Sequence, residues 1–468
     1  MYHIHPTDSS ASLDILLGNP KKAILYMVIP VFMALLVAQL NNFVDNIWCS
    51  SLGVEAVSAV SLVSTLYFFF PTTGAAIGVG LNVTISNLLG AADKESAGDR
   101  ATQTLALVAL ISVAIIPILF LSMDSLIDLI GGSEIRDLCR EYLIPLYLLC
   151  PFLVISNVIP GMLRGEGAAG RSTVINIIAA VTNMILDPIF IFGFDLGVAG
   201  ASWATMLSSV VVVLIGLRYY YTGRTYVNLN FRGMRFKRSS IWDVMYVAIP
   251  QILENNAHAL ANLLLMALII GCGGALGLTL YNVPWKTIHL LMVPSMAVSA
   301  AMIPVLSSAR GQKDPERLKE GYLYAMKLCI GLALVATLVA FVFSDFWMLL
   351  FSYTGDMAGY HDELVRILWI YIPFMVFYAL ISFGSSLLSA LRKSQISAIT
   401  IFARQAIFVG IIWICTTQDM EWVYWGVTVS EIIGGILMTV IFRSEFKVVY
   451  RALQCPIHNP RQNTVKNN

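Results

Sequence analysis

Twelve apolar segments, separated by short polar loops, follow one another along the chain. Most are about 20–28 residues long, the length of an α-helix that crosses a bilayer. A short amphipathic stretch at Leu13–Leu17 precedes them. The pattern predicts an all-α integral membrane protein with twelve transmembrane helices. The segments are 23–48, 56–83, 101–122, 138–162, 172–193, 197–221, 243–270, 275–305, 322–345, 364–391, 396–417 and 422–443.

Basic residues are concentrated in every second loop. Arg164, Arg171 and a cluster within 222–242 belong to the basic set, whereas the opposite loops are acidic, with Asp195 and Asp356 among their residues. The positive-inside rule places the basic loops in the cytoplasm. We therefore expect a multi-pass protein of the plasma membrane with both termini cytoplasmic, which requires an even number of spans.

Short sequence elements recur about 220 residues apart. Pro30 and Pro250 open the first and seventh segments, and Gly90 and Gly311 end the second and eighth. Because six is even, the second set of six helices enters the membrane in the same orientation. We expect two six-helix lobes related by a pseudo-two-fold axis along the membrane normal, as in some secondary transporters. The predicted regions are an N-lobe at 1–221, a cytoplasmic linker loop at 222–242, a C-lobe at 243–450 and a cytoplasmic tail at 451–468.

The composition is that of a membrane protein, and the sequence argues against several classes of function. The 468 residues are 58% hydrophobic and only 12% charged, against about 25% charged in soluble proteins. The net charge of +1 gives no indication of nucleic acid binding, and the seven cysteines form no CxxC pair or metal spacing. The sequence contains no Walker A motif, so ATP hydrolysis by this chain is not expected. An enzyme is the least expected class, because no nucleophile–base pair or metal cluster is evident, and no cofactor is expected.

The polar stretch 182–190 lies inside an apolar segment. Asn183 and Asp187 are spaced i,i+4 and share one helix face. Pro188 lacks an N–H, so the carbonyl of Met184 loses its usual donor. Ionisable residues inside a membrane are costly and are functional candidates by default. The acid, the amide and the freed carbonyl together predict an oxygen site for a proton or a small cation; a structural hydrogen bond at the proline kink is the alternative.

Two further candidates lie in the same half of the chain. Asp45, toward the outer end of the first segment, should lie at a depth similar to that of Asp187. Two neighbouring buried carboxylates do not both ionise cheaply, so we expect them to share a proton or a cation. The alternative is that Asp45 caps a helix end or faces extracellular water. Thr205 is a further hydroxyl candidate, although a lone membrane threonine usually bonds its own backbone.

The second half of the chain differs chemically. It lacks an acid equivalent to Asp45, and its intramembrane polar residues include Glu254, His258, Lys286 and Arg404. Buried charges usually pair, so Glu254 is expected to pair with Lys286 or Arg404, or these residues contact a substrate. His258 and His289 are expected mainly to be hydrogen-bonded packing residues.

Several motifs resemble those of the multidrug and toxic compound extrusion (MATE) transporters, over about residues 18–450. The resemblance is closest to the prokaryotic DinF-like branch. The motifs are Gly18-Asn19-Pro20-Lys21-Lys22-Ala23-Ile24-Leu25, Val44-Asp45-Asn46-Ile47-Trp48, Leu163-Arg164-Gly165-Glu166-Gly167, Leu186-Asp187-Pro188-Ile189-Phe190-Ile191, Gly200-Ala201-Ser202-Trp203-Ala204-Thr205 and Trp285-Lys286.

The resemblance implies a V-shaped pair of lobes that export drug-like, often cationic, small molecules in exchange for H⁺ or Na⁺ by alternating access. Its DinF-like branch implies a cation or proton site, with Na⁺ as one possible metal, in the N-lobe. Asn157 and Glu166 also match the family, Asn157 as a substrate or gating contact and Glu166 as a loop residue. The residues that match the coupling site are Asp45, Asn183, Asp187 and Thr205.

The sequence departs from the NorM-like branch, whose acids lie in the C-lobe. The predicted tenth helix has no acid here, which argues against a C-lobe cation site and leaves Glu254 unexplained. The prediction is therefore a secondary active antiporter, a monomer among membrane lipids, whose substrate and coupling ion stay open. The alternatives are a lipid-linked precursor flippase of the same superfamily, which often has two further helices, and an uncoupled channel.

Overall fold

The computed structural model describes residues 9–50, 52–353 and 355–454, and every regular element in these ranges is helical. The predicted amphipathic stretch forms the first helix, α1. The α-helices are α1 (Ser9–Leu17), α2 (Pro20–Ser50), α3 (Val54–Tyr67), α4 (Phe69–Gly90), α5 (Lys94–Leu129), α6 (Arg136–Leu148), α7 (Cys150–Gly165), α8 (Ala169–Pro188), α9 (Gly197–Tyr221), α10 (Arg238–Gly311), α11 (Pro315–Val342), α12 (Ser344–Ser352), α13 (His361–Tyr371), α14 (Met375–Ala390), α15 (Ser394–Cys415) and α16 (Met420–Gln454). Three short 3₁₀ segments (Ser133–Ile135, Gly355–Tyr360 and Ile372–Phe374) and a π-helix (Ile189–Gly193) complete the order.

Many of these helices are long and apolar enough to cross a bilayer. The described ranges contain ten such stretches, or eleven if the bent pair α6–α7 counts as one span. Their outer faces are apolar: Leu110, Val113 and Leu121 of α5 are all more than half exposed. Such a surface is stable in lipid rather than in water, so the chain is an all-helical, multi-pass membrane protein.

Helix α10 is far longer than one membrane crossing requires. Its 74 residues would extend about 110 Å if straight, against about 30 Å of hydrocarbon. Gly274 interrupts it with a non-helical backbone (φ 61°, ψ −160°). Only glycine adopts that conformation readily, because it has no Cβ. The predicted segments 243–270 and 275–305 lie on either side of this residue.

Prolines interrupt two other predicted segments. The segment 138–162 is divided between α6 and α7, which meet at a bend of 58°. Pro151 lacks an N–H and disfavours a helical backbone at Cys150, so the hydrogen-bond ladder does not continue through this point. Pro373 lies in the 3₁₀ segment that separates α13 from α14 within the predicted segment 364–391.

The first half of the chain (α2–α9) contacts the second half (α10–α16) very closely where α4 and α10 end. A Cβ added to Gly90 would lie 2.2 Å from the carbonyl oxygen of Ser308. One added to Gly311 would lie 2.0 Å from the carbonyl oxygen of Asn87. Larger residues would force the helices apart. We call this side of the bundle, with its Lys- and Arg-rich loops, the basic side.

The segment that connects the two halves is held against the bundle on the basic side. The carboxylate of Glu166 accepts hydrogen bonds from the backbone N–H groups of Tyr226 (3.0 Å) and Val227 (2.9 Å). The N–H of Lys237 donates to the side chain of Gln103 at 2.7 Å. The predicted linker loop is thus attached to the first half at both ends.

Candidate functional site

A cavity of about 640 Å³ lies among α2, α3 and α6–α9, all from the first half of the chain. Part of its wall is apolar, and the rest carries carboxylates, amides, hydroxyls and one guanidinium group. The charged, amide and aliphatic hydroxyl residues on the wall are Asn41, Asn42, Asp45, Ser61, Ser64, Asn157, Arg164, Asn176, Asn183, Asp187, Thr205 and Ser208.

Two carboxylates and two amides form one hydrogen-bonded cluster in this cavity. The Nδ2 of Asn41 donates to Oδ2 of Asp45 (3.1 Å) and to Oδ1 of Asn183 (2.9 Å). The Nδ2 of Asn183 donates to Oδ1 of Asp187 at 3.3 Å. Asn41 and Asn183 thus link Asp45 to Asp187 through a chain of hydrogen bonds. Two neighbouring carboxylates do not both ionise cheaply, so the cluster suits a shared proton or a bound cation.

The local helices explain how this cluster forms. Asn41 and Asp45 are spaced i,i+4 on α2, and Asn183 and Asp187 are spaced i,i+4 on α8. Each pair therefore lies on one helix face. Helices α2 and α8 pack against each other, which brings the two faces together. Helix α8 ends at Pro188 and continues as a π-helix, so Asp187 lies at an irregular point of the backbone.

Some oxygen atoms of the cluster lack a hydrogen-bond donor. The Oδ1 atoms of Asn41 and Asp45 are buried and have no partner among the described residues. Thr205 also lines the cavity; its hydroxyl donates to the carbonyl of Ala201 at 3.1 Å and can still accept. Buried oxygen atoms without donors are what a proton or a hard cation would satisfy.

Two other wall residues lie on α7. Asn157 donates to the backbone carbonyl of Leu153 at 2.9 Å, which leaves its own side-chain carbonyl as an acceptor. Arg164 was predicted to be a loop residue, and the structure places it in the last turn of α7, on the cavity wall. The cavity thus contains acids and a base.

The candidates from the second half do not line this cavity. Arg404 forms a buried ion pair with Glu431, whose two oxygens lie 2.9 and 3.0 Å from Nη1. The Nδ1 of His258 lies 2.6 Å from Nε2 of Gln405 and 3.4 Å from Nη2 of Arg404. Lys286 is exposed and lies outside this buried cluster.

Of the two alternatives for Glu254, the ion pair with Lys286 or Arg404 is not formed among the described residues. Its carboxylate accepts hydrogen bonds from the hydroxyls of Ser385 (2.6 Å) and Ser397 (2.9 Å) and from the amide of Gln251 (2.8 Å). These neutral donors satisfy the acid, and Arg404 instead pairs with Glu431. The histidine interpretation agrees with the contacts, since His258 is hydrogen-bonded within a packed cluster, and His289 contacts the amide of Gln39 at 3.2 Å.

Sequence reasoning missed three residues of these sites. Asn41 carried a usable signal, the same i,i+4 spacing to an acid that identified Asn183. Glu431 stands alone in an apolar segment, which is itself a signal. The position of Arg164 in the sequence was misleading. A basic residue close to a loop is what the positive-inside rule leads one to expect at the cytoplasmic end of a helix.

Known proteins similar to this chain are membrane transporters. The MatE family profile matches residues 30–189 and 250–414. A FAD transporter of Shewanella oneidensis is 25% identical over 338 residues, 69% of this chain and 74% of the relative. The multidrug export protein MepA of Staphylococcus aureus strain MSSA476 is 22% identical over 436 residues, 91% of this chain and 95% of the relative. A solved multidrug resistance MATE family transporter in an outward-facing conformation matches with a TM-score of 0.90 at 28% identity, covering 95% of this chain and all of that one.

Proposed function

Because the chain belongs to the MatE family of transporters, we propose that it is a secondary active antiporter that exports small amphipathic, drug-like compounds. Membership of the family makes the protein a multi-pass membrane transporter and not an enzyme. Relatives named as multidrug export proteins support drug-like substrates. The exchange ion is H⁺ or Na⁺, and no cofactor takes part.

One observation carries the coupling proposal: buried Asp187 and half-buried Asp45 share a hydrogen-bonded cluster on the wall of an open cavity. Asp45 and Asp187 hold a proton between them or bind a cation. The oxygens without donors on Asn41 and Asp45 fit either ligand. Protonation or cation binding changes how α2 packs on α8 and releases the substrate outside. The coupling residues are Asp45, Asn183, Asp187 and Thr205, with oxygen ligands of the kind that Na⁺ prefers.

The helix count in this proposal is twelve. If α10 is divided at Gly274 and the bent pair α6–α7 is one span, the described candidates give that number. The resulting lobes are 1–221 and 243–450, joined by the linker 222–242 and followed by the tail 451–468. The reciprocal contacts of Gly90 and Gly311, which are repeat-related, support a pseudo-two-fold axis between the lobes.

The contacts between the halves support alternating access. They are closest on the basic side, where Gly90 and Gly311 pack against backbone. Contacts also occur farther from the basic side, where Nδ2 of Asn255 donates to the carbonyl of Thr72, near the start of α4, at 3.4 Å. This arrangement closes the basic side, which we assign to the cytoplasm together with both termini. It supports an outward-facing state of a monomer in the plasma membrane.

The test is substrate efflux from proteoliposomes that hold an imposed pH gradient or an imposed Na⁺ gradient. Wild type should export against the substrate gradient under one of the two, and Asp187→Asn should lose at least about nine-tenths of that efflux. The amide removes the ionisable group but keeps the size of the side chain. Glu254→Gln is the matched control, because Glu254 is an acid buried in the membrane that does not line the cavity.

Each outcome decides between specific alternatives. If a pH gradient alone drives efflux by wild type, the Asp45–Asp187 pair binds a proton. If a Na⁺ gradient alone drives it, the pair is part of a sodium site. Full efflux by Asp187→Asn would refute the coupling role of this pair. Efflux that ignores both gradients would refute antiport and favour a channel or a flippase.

A further inference from the structure

Arg164 is a half-buried cation with no counterion among the described residues. It lies in the last turn of α7 and lines the cavity, and its Nε is buried without a hydrogen-bond partner. No ion pair or hydrogen bond connects its side chain to any residue that the structure describes. The neighbouring acid Glu166 is engaged elsewhere, because its carboxylate accepts the N–H groups of Tyr226 and Val227.

Arg404, in the second half of the chain, is an example of an arginine with a structural role, because its guanidinium is paired with an acid. Both Arg404 and its partner Glu431 are 4% exposed, and their two hydrogen bonds are 2.9 and 3.0 Å long. Burying a charge without a partner costs several kcal/mol. An arginine that faces a cavity with no partner therefore indicates that its counterion is supplied by a ligand.

The acids of the same cavity do not fill this role. Asp45 lies near the far end of α2, and Asp187 is the second-last residue of α8, whereas Arg164 lies where α7 ends on the basic side. The acids also accept hydrogen bonds from the amides of Asn41 and Asn183. The polar wall residues toward the same end include Asn176, in the third turn of α8. The cavity is therefore acidic at one end and basic at the other.

We propose that Arg164 and Asn176 form an anion subsite that binds a carboxylate or phosphate group of the exported molecule. Guanidinium groups bind such oxyanions through two parallel hydrogen bonds. The inference rests on the proposed export function for the identity of the ligand, and it defines the substrate class. Preferred substrates carry an anionic group and are zwitterions when a basic group also reaches the Asp45–Asp187 pair.

The test compares two dyes that differ only in this group. Rhodamine B has a free carboxylate, and its methyl ester has none. Binding to the purified full-length protein in detergent is followed by fluorescence anisotropy. Wild type should bind the acid more tightly than the ester. Arg164→Gln should weaken binding of the acid about tenfold or more and change binding of the ester little, because a charge-assisted hydrogen bond is lost only for the acid.

Two further variants keep the result interpretable. Arg164→Lys retains the charge and should restore part of the preference for the acid. Lys327→Gln removes an exposed cation of α11 that does not line the cavity, and it should change neither affinity. An equal loss for both dyes in Arg164→Gln, or no preference for the acid in wild type, would overturn the anion subsite. Because binding needs no gradient, this failure is distinct from a failure of coupled export.

Discussion

The two halves of the chain place different side chains at repeat-related positions. Ala34 and Ala38 of α2 line the cavity of the first half. The residues 220 positions later are Glu254 and His258, which lie in a buried polar cluster of the second half. Methyl groups leave space, whereas the larger polar side chains fill it and bond to neighbours. The open site therefore belongs to the half with small residues at these positions.

Helices α3 and α10 repeat the same contrast at a lag of 221 residues. Val60 and Ser64 line the cavity, and their counterparts are Tyr281 and Trp285. The rings of Tyr281 and Trp285 stack with centroids 6.0 Å apart, and Phe374 lies 5.4 Å from Trp285. Aromatic rings occupy in the second half the positions that border empty space in the first.

The charged residues of the two halves also differ, in whether their side chains have partners. In the second half, Arg404 pairs with Glu431, and Glu254 accepts three neutral donors. In the first half, Arg164 has no side-chain partner among the described residues, and Asp45 keeps an oxygen that none of them donates to. Buried charge is thus satisfied internally where it stabilises packing and left incomplete where a ligand completes it. The presence of a buried charge does not by itself distinguish a structural residue from a ligand-binding one. The presence or absence of a partner does.

The largest expected effect tests this difference in partners. Arg404→Met should lower the free energy of unfolding by about 3–5 kcal/mol, because Glu431 is left buried without its counterion. Arg164→Met should leave stability unchanged or raise it, because it removes a charge that has no described counterion and leaves no partner behind. Thermal unfolding of both variants in the same detergent measures the difference.

The double variant Arg404→Met/Glu431→Leu is the control for the ion pair. It should recover much of the lost stability, since no charge then remains unpaired. Equal destabilisation by Arg404→Met and Arg164→Met would contradict the contrast between the two halves.

The next effect comes from exchanging the aromatic and small residues. Trp285→Ser should cost about 3 kcal/mol, at the lower end for loss of a packed ring because Trp285 is partly exposed. Ser64→Trp should instead abolish binding of both rhodamine dyes by filling the cavity, with a smaller change in stability. Unfolding and dye anisotropy on the same samples measure both quantities. Normal dye binding by Ser64→Trp would show that the ligand binds elsewhere.

Much of this architecture is predictable from the sequence because its signals are local. Apolar length predicts the membrane helices, and i,i+4 spacing predicts that Asn183 and Asp187 share a face. The interruption at Gly274 follows from the glycine-rich gap at 271–274 between two apolar segments. These features depend on residues within a few turns of one another.

The partners of the buried charges are not predictable in the same way. Glu431 lies 27 positions after Arg404, and their pairing depends on the rotation and packing of α15 and α16. Glu254 lies 131 and 143 positions from its two serine donors. The position of Arg164 on the cavity wall likewise depends on how the end of α7 packs. Helix rotation and side-chain direction are set by tertiary packing, which leaves little trace in one sequence.

The smallest expected effect concerns Glu166, a buried acid outside the membrane-spanning helices that lies just past α7. Burial raises the pKa of its carboxyl from 4.5 to about 8, against the opposing effect of the Val227 N–H. The folded state therefore keeps a proton that the unfolded state loses above about pH 4.5. Its contribution to stability is complete below that pH, falls as pH rises, and is lost above about pH 8.

Glu166→Gln should therefore flatten the decline of the melting temperature between about pH 5 and 8, since an amide does not titrate. Asp93→Asn is the control, because Asp93 caps α5 through the N–H of Ser96, which lowers the pKa of its carboxyl. The stability due to Asp93 is lost only as pH falls below its usual range, so that variant should keep the wild-type slope between pH 5 and 8. Equal slopes for wild type and Glu166→Gln would mean that Glu166 is ionised in the fold. The two N–H donors of the linker would then satisfy its charge, as neutral donors satisfy Glu254, and a buried acid in the first half would need no ligand.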